Sequence, residues 1–325
     1  MQPIDEKIKL YAVRDFGQGL TVVMDFLRQN WKALLLYLTY FLLPLSLIQG
    51  LSLNGFMSGY MDLIGGIMTN ASDPPMSLLY AGLSLLAYMA LYMLGILLMY
   101  AVVYGLMRLY ERGEGNLSNV SWSDLKPHFM FTLKRTLVLL LIGFAVAFVL
   151  VVIVGTVIGL VMYQNPALFA SVYMLFVFFM LAVAVLLGPP LSLITPAYVF
   201  EDDATLIPAI KRGVRLGFKI WLVAVGVLTI LSMIIYMGQQ FISLPWGIMM
   251  FVKMLFGMGL DGLNSSYVDN VFYSFIYYLT AVIQCFAGFV LSAVPLIGAA
   301  FLYGHAAEKV DGMTVSDNIR NFDSL

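Results

Sequence analysis

Charged residues are scarce in this chain of 325 residues. They make up 11% of it, where a soluble globular domain carries about 25%. That shortfall excludes an ordinary water-soluble globule and a disordered chain. With a single cysteine, Cys285, no internal disulfide forms. There is no basic excess either, since 17 Lys and Arg stand against 18 Asp and Glu. Nucleic-acid binding rests on surplus cations against phosphate, so no nucleic-acid partner is expected. His128 and His305 are the only histidines, and HExxH, CxxC, Walker and Gly-x-Ser-x-Gly motifs are missing. A hydrolytic or metal centre needs several convergent ligands. The sequence therefore offers no catalytic residue, metal site or cofactor, and a non-enzymatic protein is expected.

What the chain has is apolar surface: 62% of residues are hydrophobic and the mean hydropathy is +0.93. Charge-free runs cover 33–61, 74–107, 136–200, 220–252 and 270–307, the third divided by Gln164-Asn165-Pro166. A bilayer core takes about 20 apolar residues in helix. The runs predict six spans, at 32–53, 77–107, 136–162, 169–198, 220–244 and 271–303. They are too long and too evenly apolar for barrel strands. The expected fold is all-α integral membrane, one polytopic domain over 1–325 with a tail at 304–325.

With both termini on one side, that side holds every Lys and Arg except Lys253. Cytoplasmic segments are enriched in these residues, so cytoplasmic termini are expected. Trp31, Trp122, Trp221 and Trp246 fall near the expected interfaces, as an aromatic belt requires. The charged N-terminus lacks the pattern of a signal peptide. Sequons at Asn70 and Asn264 lie on the opposite side.

A short amphipathic stretch precedes each odd span. The apolar faces are Leu20, Val23, Leu27, Trp31; then Trp122, Leu125, Phe129, Leu133; then Ile207, Ile210, Val214, Phe218. Each set has helical spacing, and each is followed by lysine: Lys32, Lys134 and Lys219. This predicts three hairpins, each preceded by a cytoplasmic-side amphipathic helix, as repeats over about 15–110, 118–200 and 203–303. Val315, Ile319 and Phe322 begin a fourth such face.

The segment Thr195-Pro196-Ala197-Tyr198-Val199-Phe200-Glu201-Asp202-Asp203 leads into Ala209-Ile210-Lys211-Arg212-Gly213 and a new span from Ile220. It resembles the return-span, acidic-turn, amphipathic-helix pattern of the six-span membrane domain attached to some bacterial glycerophosphodiester phosphodiesterases. It is similar too to stand-alone bacterial membrane proteins. The likeness covers the whole layout but is motif-like only over about 189–221. It implies a bacterial inner-membrane location. The enzymes' soluble catalytic domain has no counterpart here, so no catalytic residue carries over.

Basic residues near an anionic surface attract lipid headgroups, each by about 1 kcal/mol. Lys32, Lys134, Arg135, Lys211, Arg212, Arg215 and Lys219 are the candidate anionic-lipid contacts. The acidic group Glu201, Asp202, Asp203 reads as a capping turn for the helix that follows. Gly304 reads as a helix end, with His305 suited to its dipole.

Proline frees backbone carbonyls. Pro44, Gly188-Pro189-Pro190, Pro196 and Pro295 interrupt expected spans. Pro190, Ser192, Thr195, Gln284 and Pro295 are the candidate lining of a polar pocket. Gly155 and Gly159 form a close-approach motif. Tyr80, Tyr88, Tyr92, Tyr100 and Tyr104 run along one span. The apolar stretch 246–252 is too short to cross and reads as interfacial or re-entrant. The expected role is lipid-associated or accessory, with membrane lipids, a membrane-protein partner or a second copy as partners; a transporter or lipid-handling protein is the alternative.

Overall fold

A computed structural model describes residues 7–69, 74–113, 115, 117, 120–164, 169–257 and 270–313. The helices are α1 (Phe16–Thr69), α2 (Pro74–Arg112), α3 (Trp122–Gln164), α4 (Phe169–Ser192), α5 (Ile194–Phe200), α6 (Leu206–Lys219), α7 (Trp221–Gly257) and α8 (Val271–Asp311). No strand occurs among the described residues. Six helical stretches are long and apolar enough to cross a membrane: Phe16–Met61, Leu78–Arg112, Trp122–Leu160, Ser171–Phe200, Trp221–Phe256 and Val271–Asp311. Each contains most or all of one expected span, and the chain is a multi-pass membrane protein. The sequons, the Gln164-Asn165-Pro166 divide and the face begun by Val315 lie in whole or part outside the described residues.

Several boundaries differ from expectation. The stretches before spans one and three are not separate helices, because α1 and α3 run straight through Lys32 and Lys134. A lysine needs no helix break when its long stem lets the ammonium reach water. Only α6 stands apart, ending at Lys219 with Ile220 as the cap residue before α7 begins. Pro44 and Pro295 sit inside helices that continue past them. Helix α4 likewise passes Pro189 and Pro190, and the break comes at Leu193. There Pro196, in the first turn of α5, has no amide hydrogen to continue the ladder. The stretch 246–252 is neither interfacial nor re-entrant as a separate piece; it continues α7 to Gly257.

The chain forms two compact units. One comprises Met1–Trp31, Val103–Leu231 and Pro295–Leu325; the other comprises Lys32–Val102 and Ser232–Val294. In the first, Phe26, Leu106, Leu125, Leu193, Leu216 and Ile297 are fully buried. In the second, Leu53, Ala281 and Cys285 form a core flanked by Met57, Tyr88 and Trp246. There the indole of Trp246 donates to Asn54 Oδ1 at 3.1 Å, and Lys253 Nζ donates to Ser58 Oγ at 3.0 Å.

In α3 and in 171–200 the most apolar windows bury 0% of their residues within the protein. Helices apolar all round suit lipid as the surrounding solvent. Gly155 and Gly159 meet nothing within 4 Å among the described residues.

Candidate functional site

Four arginines of the first unit, Arg108, Arg112, Arg135 and Arg212, converge on the turn between α5 and α6. A seven-residue helix leaves its last carbonyls without intrahelical partners. In α5 arginines from two other helices supply the donors. Arg135 of α3 donates to the carbonyls of Tyr198, Glu201 (2.5 Å) and Asp202 (2.5 Å). Arg108 of α2 donates to the Val199 carbonyl at 2.5 Å and also pairs with the Asp202 carboxylate. Both guanidinium groups lie over the Phe131 ring, at 3.7 Å for Arg108 and 4.3 Å for Arg135. A flat, weakly hydrated guanidinium suits this combination of stacking and forked donation; an ammonium does not.

The two acidic side chains point to different partners. Asp202 receives Arg108 and Arg112. Glu201 receives Arg212 of α6 at 2.6 Å and the hydroxyl of Tyr303 of α8. Arg212 also reaches Asp311 at 2.9 Å, and Arg215 joins it at 2.8 Å. Burial on its own raises the Asp202 carboxyl, but the hydrogen bonds and charges of Arg112 and Arg108 outweigh it. The net effect holds Asp202 below its ordinary value. The expected capping role is not found: the N-cap of α6 is Thr205, with no side-chain cap hydrogen bond. Glu201 and Asp202 serve instead as anchors for arginines: Arg212 of the next helix on Glu201, and Arg108 and Arg112, separated by 94 and 90 residues, on Asp202.

Helix α6 packs with its small residues. Ala209, Gly213, Leu216 and Gly217 are its buried positions. A Cβ on Gly217 would stand 2.4 Å from Pro190 Cα, and one on Gly213 2.7 Å from Ile194 Cα. The expected apolar face points elsewhere: Ile207 and Phe218 are exposed, while Ile210 and Val214 are half-buried. The corresponding set in α3 behaves oppositely. Leu125 and Phe129 are buried, and Phe129 lies against Gly105 of α2. In α1, Val23 is buried and Trp31 exposed.

A non-helical N-terminal strap crosses the ends of α2 and α8. Lys7 Nζ donates to the Glu111 carbonyl at 2.5 Å, and the Ile8 amide donates to Tyr110 Oη at 2.8 Å. The Leu10 carbonyl is pressed onto Gly304, where a Cβ would lie 2.1 Å away. Gly304 is therefore a close-approach residue inside α8 rather than a helix end. His305 Nδ1 accepts the Arg14 amide at 2.9 Å, beside a cavity of about 10 Å³ also lined by Asp15, Gly19, Val223 and Phe301.

Of the candidate lipid contacts, Arg135 and Arg212 are committed to protein partners, and Arg215 shares Asp311 while staying exposed. Lys32, Lys134, Lys211 and Lys219 are exposed. The candidate pocket residues are distributed over both units. Pro190 is closed over by Gly217, and Ser192 Oγ donates to the Pro189 carbonyl at 2.7 Å. Thr195 and Pro295 are half-buried in the same unit. Gln284 belongs to the other unit, where its backbone carbonyl accepts Gln239 Nε2 at 3.3 Å. The tyrosine series divides too: Tyr88 stacks on Tyr92, while Tyr104 packs edge-on to Phe200. Among the described residues no three His, Cys, Asp or Glu side chains gather as metal ligands.

No protein-family model, curated protein or solved structure matches the chain.

Proposed function

We propose that this chain is a non-enzymatic, lipid-associated membrane protein with an accessory or scaffolding role. The observation that carries the reading is the use of its polar chemistry. Arg108, Arg112, Arg135, Arg212, Glu201 and Asp202 are spent on one another and on helix-end carbonyls. Groups engaged in this way hold helices together, and they are not poised for proton transfer or nucleophilic attack. The likeness at 189–221 to the membrane domain of glycerophosphodiester phosphodiesterases supports a bacterial inner membrane. The distribution of Lys and Arg supports cytoplasmic termini, with three hairpins as the underlying repeat.

A transporter is the second reading, favoured by one observation. Gln49, Gln239 and Gln284 each carry a buried side-chain oxygen with no hydrogen-bond partner among the described residues. Polar groups within membrane spans mark substrate paths.

Gentle extraction followed by mass spectrometry of co-purifying small molecules separates the readings. Enrichment of phospholipid over the membrane average supports the first. One stoichiometric water-soluble compound supports the second, and a bound metal with turnover overturns both.

A further inference from the structure

We infer that α6 presents a fixed recognition stripe for anionic phospholipid headgroups, with Lys211 and Lys219 as its contacts. This deepens the lipid-associated reading and rests on it. At about 100° per residue, Ile207, Val214 and Phe218 share one narrow stripe of α6. Lys211, Arg215 and Lys219, at four-residue steps, turn progressively away from it, by about 40°, 80° and 120°. Ile207 is 65% and Phe218 48% exposed, and all three basic residues are exposed. The opposite side is locked in place by the Gly213 and Gly217 contacts and by Arg212 on Glu201 and Asp311.

The basic residues sort by partner. Arg212, nearest the packed side, is neutralised by two carboxylates, and Arg215 shares one of them. Among the described residues Lys211 and Lys219 pair with no carboxylate, and their ammonium groups face outward. Exposed apolar side chains beside unneutralised lysines match a bilayer surface, where acyl chains meet the stripe and phosphates meet the flank. A soluble acidic partner would leave Ile207 and Phe218 in water. Eight residues of helix separate the two lysines by about 12 Å. That exceeds the Debye length of roughly 8 Å at physiological ionic strength, so the two contacts act independently. The helix is already formed and packed within the chain, so binding does not have to fold it.

The test uses the full chain in nanodiscs of phosphatidylcholine with a minor fraction of phosphatidylglycerol, with retained lipid counted by native mass spectrometry. Wild type retains phosphatidylglycerol preferentially. Lys211→Gln and Lys219→Gln each lower that preference by roughly fivefold, and together multiplicatively. Lys211→Arg with Lys219→Arg keeps it. Lys126→Gln, which removes an exposed charge from α3, leaves it unchanged. Equal losses in the Lys126 and α6 variants would overturn the assignment, because generic positive charge then suffices. Undiminished retention in the double Gln variant would overturn it as well. If wild type itself shows no preference, the broader lipid-associated reading falls too, so the two failures are distinguishable.

Discussion

The indole of Trp221 occupies the place of an amide that Pro190 cannot provide. In an unbroken helix the Leu186 carbonyl accepts from the residue four positions on, and that residue is Pro190, which has no N–H. Trp221 Nε1 donates to the Leu186 carbonyl at 3.0 Å instead. The first residue of α7 thus repairs the ladder of α4. Trp221→Phe is expected to destabilise the protein by about 1 kcal/mol, the net worth of one hydrogen bond. In a Pro190→Ala background, where the amide is restored, the same change costs less. A double-mutant cycle on thermal unfolding in detergent measures the difference; equal costs in both backgrounds contradict the repair.

Glycine substitutions separate close approach from open space. Gly217→Ala drives a methyl group into the backbone of Pro190, and Gly304→Ala drives one into the Leu10 carbonyl. Overpacking of this kind costs about 1–3 kcal/mol. Gly143→Ala meets nothing within 4 Å and is expected to be neutral or to stabilise by a few tenths of a kcal/mol. Unfolding midpoints of the three variants in one detergent check the order.

Arg108 and Arg112 share the Asp202 carboxylate, yet their side chains are 5% and 45% exposed. Arg108 also holds the Val199 carbonyl and stacks on Phe131. Arg108→Gln is expected to cost about 2 kcal/mol, the worth of hydrogen bonds made by a charged group, and Arg112→Gln less than about 1 kcal/mol because its pairing is screened by solvent. Comparable losses for the two would place the strength of the turn elsewhere.

The arginines on Asp202 also set a pH dependence. Its folded value lies below the unfolded carboxylate value of about 3.9. Stability from the charged form is therefore fully present above that unfolded value and is lost as pH falls through the folded one. The midpoint difference between wild type and Asp202→Asn should be constant near neutrality and shrink in acid. A difference that grows on acidification contradicts the assignment.

The six spans were legible because hydropathy sums over twenty or more residues, and no packing detail reverses such a sum. Helix ends were less legible. Lys32 and Lys134 marked expected boundaries, yet a lysine whose stem reaches water interrupts nothing. Gly304 carried the sequence signature of a terminus, and only the position of the Leu10 carbonyl reveals why glycine stands there. The turn at Glu201-Asp202 was visible as a cluster, but its partners were not. Arg108 and Arg135 flank spans, where any membrane protein places basic residues. Nothing local distinguishes an arginine that clasps helix-end carbonyls from one that faces lipid. On α6 the expected apolar face is exposed at Ile207 and Phe218 and half-buried at Ile210 and Val214. The matching face of α3 was misleading, because Leu125 and Phe129 are buried within the protein.

The placement of α6 at the bilayer surface is tested most directly by depth-dependent quenching. Single cysteines at Ile207, Phe218 and Lys211, in a Cys285→Ser background, carry a small fluorophore in the full chain in lipid vesicles. The account predicts that a quencher on the upper acyl chain reaches positions 207 and 218, and that a water-soluble quencher reaches position 211. Quenching of all three by the aqueous reagent alone would contradict it.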